Sequence, residues 1–329
     1  MNELPVISSC IPKWKQILRQ SFNRVEQLVN YLELDSSQCE EVLFNPKFPI
    51  LVPIRLARKM EKRNLDDPLV LQFLPIRKEL EYSAEFTSQP VCDNNFQETE
   101  KLLHKYHGRV LLLCTNACAM HCRYCFRQNF DYAKVKLFEK EIEWIANDSS
   151  ISEVILSGGD PFSLSNDTLQ YILEKLGSIK HVKRIRFHTR FLIGVPERVD
   201  EEILSLISSL PQQVYIVIHC NHPNELDDDV FVSLQSLQKV GCLILNQAVL
   251  LKGVNDHVDT LVKLCLQLSD KGILPYYLHQ LDKVEGAAHF EVLEETGRYL
   301  ITEIAKQLPG YAVPKYAREI PGQPNKTLL

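Results

Sequence analysis

From about residue 108 the chain alternates between short apolar runs and amphipathic stretches, and this alternation constrains the fold more than any other feature. The runs RVLLLC, EVILSGGDP, RIRFHTR, VYIVIHCNHP, CLILNQAVLL and LPYYLHQLD are rich in aliphatic and β-branched residues, as strands buried on both faces are. Between them, LFEKEIEWIAN, SNDTLQYILEKLGS, PERVDEEILSLISSL, NELDDDVFVSLQSLQKV and HVDTLVKLCLQLSDKG each carry one apolar stripe at helical spacing. Ser165 or Asn166 is a ready N-cap for the second helix, and Pro196 suits the start of the third. Six strand–helix units in a row predict a parallel sheet with right-handed crossovers. Nearly every strand ends in polar residues: Ser157-Gly158-Gly159-Asp160, Arg190, His219 to His222, Asn246-Gln247, and Gln280 with Asp282. A barrel gathers its chemistry around that rim, whereas an open sheet concentrates it at one switch point. The expected fold is therefore α/β, a partial (β/α)6 TIM-like barrel over residues 108–308.

Residues 1–107 read as a helical extension packed on the barrel, opening with a helix pair in PKWKQILRQSFNRVEQLVNYLEL. Residues 309–329 form a separate C-terminal segment. The net charge of −5 offers no basic field, so no nucleic-acid partner is expected. No apolar run approaches the ~20 residues needed to span a bilayer, and MNELPVISSCIPKWK lacks a signal-peptide layout. A cytoplasmic protein without a membrane partner is expected.

In that reducing compartment ten cysteines do not read as a disulfide framework. Cys10, Cys39, Cys92, Cys220, Cys242 and Cys265 are scattered and read as small buried or incidental thiols. Cys114, Cys118, Cys122 and Cys125 fall within twelve residues. Only Cys122 and Cys125 have the two-residue gap of a zinc knuckle, and no second pair follows. A four-cysteine iron–sulfur site fits the spacing but leaves no open position. Three thiolates, Cys118, Cys122 and Cys125, would instead leave one iron of a cubane free for a ligand. Cys114 ends the apolar run and is assigned to the core.

The loop CAMHCRYC, followed one strand–helix unit later by SGGDP, resembles the cluster loop and glycine-rich motif of radical S-adenosylmethionine (SAM) enzymes. The wider set CTNACAMHCRYCFR, LSGGDP, HCNHPNE, NQAVLLKGVND, YYLHQLD, GYAVPKY and PGQPNK resembles, in order, the lysine 2,3-aminomutases. FPILVPIRLARKM and DDPLVLQFLP extend the likeness, so that it spans roughly residues 45 to 326. The resemblance implies a [4Fe-4S] cluster on Cys118, Cys122 and Cys125. It further implies SAM on the open iron, bordered by Ser157, Gly158, Gly159, Asp160, His219 and Gln247. It also implies pyridoxal 5′-phosphate (PLP) held as a Schiff base by Lys326, with Arg109 and Lys105 at the phosphate.

L-Lysine is the substrate this resemblance implies, its carboxylate on Arg127 and its ε-ammonium between Asp282 and Glu319. Three positions depart from the family pattern. Glu319 replaces an aspartate, Lys105 a more usual arginine, and Gly322-Gln323-Pro324-Asn325 a run of glycines. The chain stops soon after Lys326, and a monomer or dimer is expected rather than a zinc-linked tetramer. The short form resembles the aminomutases that make (R)-β-lysine for elongation factor P, which implies a ligase that uses the product. A one-electron reductant of flavodoxin or ferredoxin type is implied as well. Two competing readings are a fermentative or other amino-acid aminomutase, and a non-catalytic protein holding zinc on all four cysteines.

Overall fold

The computed structural model describes residues 11–132 and 138–329. Cys10 and Leu137, the first residue of one expected helix, lie outside the described residues. The chain opens with five short helices, α1 (Lys13–Leu18), α2 (Val25–Leu32), α3 (Ser36–Glu41), α4 (Ile54–Ala57) and α5 (Pro68–Phe73). Two of them show their start signals plainly. Asp35 and Gln38 close a capping box on α3, and the Asp67 carboxylate accepts from the Leu69 and Val70 amides ahead of Pro68. Trp14, Leu28, Leu32, Leu56 and Phe73 are buried in the same core as the helices outside the sheet. Trp14 meets Phe191 edge-on at 5.7 Å, and the buried Arg198 guanidinium lies 4.6 Å over the Trp14 ring. The extension is thus continuous with the main core.

The last part of that extension is not helical. β1 (Gln97–Thr99) and β2 (Leu102–Tyr106) form an antiparallel edge on β3 (Arg109–Thr115). Gln97-Glu98-Thr99 has little strand character, and pairing on β2, itself paired on β3, decides its state. From β3 onward the expected alternation holds, with α6 (Glu139–Asn147), β4 (Glu153–Gly158), α7 (Asn166–Gly177) and β5 (Arg184–Thr189). It continues through α8 (Phe191–Gly194), α9 (Glu201–Ser208), β6 (Gln213–His219), α10 (Asp228–Lys239) and β7 (Leu243–Val249). It ends with α11 (Val258–Ser269), β8 (Leu274–His279), α12 (Glu294–Ala305), β9 (Lys315–Arg318) and β10 (Thr327–Leu328). Ser165 caps α7 through the Thr168 amide. Pro196 starts only a single 3-10 turn, and α9 begins later, where Asp200 caps the Ile203 amide.

Among the described residues ten strands lie in chain order, parallel from β3 to β9 and antiparallel at both ends, and their sheet does not close. Alternate residues of its strands nevertheless line one shared cavity. Glu153, Ile155 and Ser157 of β4 face it, as do Arg184, Arg186 and His188 of β5. So do Leu245, Gln247 and Val249 of β7, and Tyr277 and His279 of β8. Their neighbours Val154, Leu156, Ile185, Phe187, Ile244 and Leu278 are buried in the outer core. A period of two with β2 to β10 all reaching one lumen requires a curled sheet, so the fold is the expected partial barrel. Among the described residues no helix is long and apolar enough to cross a membrane.

Candidate active site

The lumen is a cavity of about 1040 Å³, more than one small ligand fills. Cys118, Cys122 and Cys125 border it from the loop after β3. Cys114 is buried within that strand, with its thiol donating to the Leu112 carbonyl. Burial pushes the Cys125 thiol up to about 11 and the Cys118 thiol well above its usual range, so metal has to displace protons there. Among the described residues no three His, Cys, Asp or Glu side chains converge as ligands of a single ion. Tetrahedral zinc would need sulfurs roughly 3.8 Å apart, given Zn–S bonds near 2.3 Å. A cubane gives each thiolate its own iron, and the three partly exposed thiols face a cavity with room for that group.

Two neighbours shape the cysteine loop. The first is the SGGDP turn. Gly159 donates to the Thr115 carbonyl at 2.6 Å and Asp160 to the Ala117 carbonyl at 2.8 Å. A Cβ on Gly159 would fall 2.3 Å from the Ala117 oxygen, and one on Gly158, which sits at φ +109°, 2.7 Å from the Thr115 oxygen. Glycine is therefore required because this turn lies directly against the cysteine loop. The Asp160 carboxylate accepts from the Phe162, Arg190 and Phe191 amides and the Thr189 hydroxyl, which locks the turn. Burial nonetheless raises its carboxyl to about 6.

The second neighbour is the N-terminal extension, which held no visible catalytic motif. The His121 amide donates to the Leu51 carbonyl and the Arg123 amide to the Gln72 carbonyl, both at 2.9 Å. The buried Arg123 side chain pairs with Glu79 and also donates to the Phe48 carbonyl. The residues between the cysteines thus fasten their loop to the extension, through partners that no motif announces.

Lys326 lies in the same cavity, its ammonium 3.1 Å from Glu319. The other Glu319 oxygen accepts from Lys105 at 2.6 Å. Lys105 reaches Asp93 at 2.6 Å, and Asp93 in turn takes the Arg127 Nε at 2.8 Å. This chain of alternating charge runs from Arg127 to Lys326. Burial acts to raise the Glu319 carboxyl, but Lys326 and Lys105 overcome it and hold the group down at about 2. Asp282 lacks so close a cation. Its burial outweighs the pull of Lys326 and pushes it up to about 7.

Lys105, the expected phosphate contact, lines the same cavity and pairs with two carboxylates, Asp93 and Glu319. Arg109 faces the cavity together with Arg184 and Arg186. Asp93 was missed: it lies in a 3-10 turn with no motif around it, and only the fold brings it to Arg127 and Lys105.

His219 and Gln247 pair in register at the ends of β6 and β7, and both line the cavity. His219 Nε2 lies 2.9 Å from the Tyr124 hydroxyl. His188, also facing the cavity, has an Nε2 that is buried and unpartnered. Burial together with Arg186, Lys326 and Arg127 holds its imidazole neutral, and a polar ligand would complete it. Other polar strand ends are structural: Asn246 holds both backbone groups of Cys220, and Gln280 donates to the Val292 carbonyl. All nine cysteines of the described residues are free.

The chain is similar to several known proteins. A family model described as a 4Fe-4S single cluster domain matches residues 107–217. The L-lysine 2,3-aminomutase of Escherichia coli (strain K12) is 38% identical over 325 residues, covering 96% of this chain and 94% of that protein. The enzyme of the same name from Haemophilus influenzae is also 38% identical, over 96% of this chain and 95% of its own. That of Clostridium subterminale is 32% identical over 95% of this chain and 77% of that one. A solved radical SAM methyltransferase from Sphaerobacter thermophilus aligns at a TM-score of 0.47 and 16% identity over 66% of this chain and 68% of that one, too slight a likeness to argue from. The cysteine loop and the full-length similarity agree, and the chain belongs to the lysine 2,3-aminomutases, radical SAM isomerases that use a 4Fe-4S cluster, SAM and PLP.

Proposed function

We propose that this protein converts L-lysine to (R)-β-lysine in the cytoplasm, as a monomer or dimer, and that the product serves a ligase acting on elongation factor P. The observation that carries the reading is the placement of both ends of the chemistry in one cavity. Cys118, Cys122 and Cys125 border it together with Lys326, Glu319 and Asp282. When bound, the cofactors supply an electron, a hydrogen-abstracting group and an imine-forming aldehyde.

The chain's own groups bind and orient. Lys326 is the amine that would hold PLP, and the largely buried Glu319, 3.1 Å away, would pair with its ammonium when it is free. Arg127, steadied by Asp93, receives the substrate carboxylate. Asp282 and Glu319 flank the ε-ammonium. Two acids around one cation favour lysine over glutamate, whose own side-chain carboxylate would be repelled. Ser157, Gly158, His219 and Gln247 border the SAM end, where Asp160 braces the turn, and Arg109 with Lys105 the phosphate end. Curling the sheet around the lumen keeps water from the reacting atoms.

The test is anaerobic reconstitution with iron, sulfide, SAM and PLP, followed by lysine and a flavodoxin- or ferredoxin-type reductant. Chiral chromatography is expected to find (R)-β-lysine, and its absence would sink the proposal. The destination is tested separately by offering the product and α-lysine to the elongation factor P ligase. Equal use of the two would remove the assigned role.

A further inference from the structure

Arg190, the residue that follows β5, ends against the cysteine loop. Its Nη1 donates to the Cys122 sulfur at 2.8 Å and also to the Tyr124 hydroxyl. Its Nη2 donates to Glu225 at 2.8 Å and to Gln72 of α5 at 2.7 Å. Arg190 is 7% exposed and Glu225 0%, so this ion pair is shielded from solvent beside a cluster ligand. Neither partner is free to swing away. The Arg190 amide is fixed on Asp160, its guanidinium lies 4.7 Å over the Phe73 ring, and its Nε has no partner. The second Glu225 oxygen accepts from the Asn221 and His222 amides.

We infer that Arg190 and Glu225 set the reduction potential of the iron–sulfur cluster, with Arg190 favouring the reduced state and Glu225 opposing it. The inference rests on the proposed assignment of a cluster to Cys118, Cys122 and Cys125. Reduction adds one negative charge to the cluster. A fixed cation that donates to a ligand sulfur stabilises the charged product more than the reactant, and so raises the potential. A buried carboxylate in the same network acts with the opposite sign. Arg190 acts through Cys122 and is a positioning residue.

The experiment is an EPR-monitored redox titration of the full-length, anaerobically reconstituted chain without SAM. Wild type is compared with Arg190→Met, Arg190→Lys and Glu225→Gln, and iron and sulfide are assayed in each. At the potential where wild type is half reduced, Arg190→Met is expected to lower the ratio of reduced to oxidised cluster at least tenfold. For a one-electron couple that is about 59 mV. Glu225→Gln is expected to move the ratio upward, and Arg190→Lys to recover part of the Arg190→Met loss. General loosening of the site cannot give opposite signs. Should Arg190→Met fail to load iron, Glu225→Gln and Arg190→Lys still decide the sign. Ratios of reduced to oxidised cluster within a factor of three of wild type in loaded variants, or shifts all in one direction, would overturn the inference. A wild-type chain that assembles no iron–sulfur cluster would overturn the cluster assignment itself, and the inference with it.

Discussion

Gly159→Ala is the sharpest single perturbation of the site, because the new methyl meets backbone on the cysteine loop. Its Cβ would lie 2.3 Å from the Ala117 oxygen, 2.7 Å from the Asn116 carbonyl carbon and 2.9 Å from that of Ala117. Ordinary contact begins at 3.4 Å, so the loop has to retreat by about 1.1 Å, the difference between 3.4 and 2.3 Å. That shift breaks or stretches the bonds from Gly159 to Thr115 and from Asp160 to Ala117. Overpacking costs about 1–3 kcal/mol, and two strained hydrogen bonds about 0.5–1.5 kcal/mol each, for a total near 2–6 kcal/mol. Cys118 follows Ala117 directly, so the displacement passes to a proposed ligand. Urea unfolding followed by circular dichroism reads the stability, and iron per chain after anaerobic reconstitution reads the site. Gly310→Ala is the control, since nothing lies within 4 Å of its built Cβ, and it should stay within about 0.5 kcal/mol of wild type. A Gly159→Ala protein with wild-type stability and full iron would refute the reasoning.

Cys114→Ala should keep the iron content of wild type while Cys122→Ala loses it, as read by iron and sulfide assay; equal loss would return Cys114 to the ligand set. Lys326→Ala should bind PLP without the absorbance of a protein-bound imine, and persistence of that band would place the Schiff base on another lysine. Asp282 carries its own pH signature. Its native carboxyl, raised by burial to about 7, keeps a proton that the unfolded chain loses above its ordinary value of 3.8. Across that window the native state binds more protons, so the stability contributed by Asp282 falls as pH rises, by up to about 1.4 kcal/mol per pH unit. Urea melts of the cofactor-free protein between pH 4.5 and 6.5 should show wild type losing ground to Asp282→Asn as pH increases. Wild-type stability that holds constant or gains relative to Asp282→Asn as pH rises would mean the buried carboxyl is ionised throughout.

Much of the architecture is local. The six central strands and the helices between them announce themselves through periods of two and 3.6, and each period depends only on nearby residues. The cysteine loop and SGGDP are likewise contiguous, so residue types and spacing sufficed to bring them to notice. β1 and β2 did not share this legibility. Polar residues fill β1 and half of β2, and the strand state comes from antiparallel pairing of β1 on β2 and of β2 on β3. Pro196 misled for the related reason that a helix-start signal also serves a single 3-10 turn.

The site divides along the same line. Spacing singled out the three cysteines, and the family resemblance pointed to Lys326, Arg127, Asp282 and Glu319. Tertiary structure decided what these residues touch. Asp93 joins Arg127 to Lys105, and Gln72 and Glu225 reach Arg190 from 118 and 35 positions away in the chain. The two glycines of SGGDP show the division most clearly. The sequence determined that a tight turn stands there. Only the packing of that turn against Thr115 to Ala117 decided why no side chain fits, because steric exclusion depends on the atom that stands opposite, and here that atom belongs to another loop.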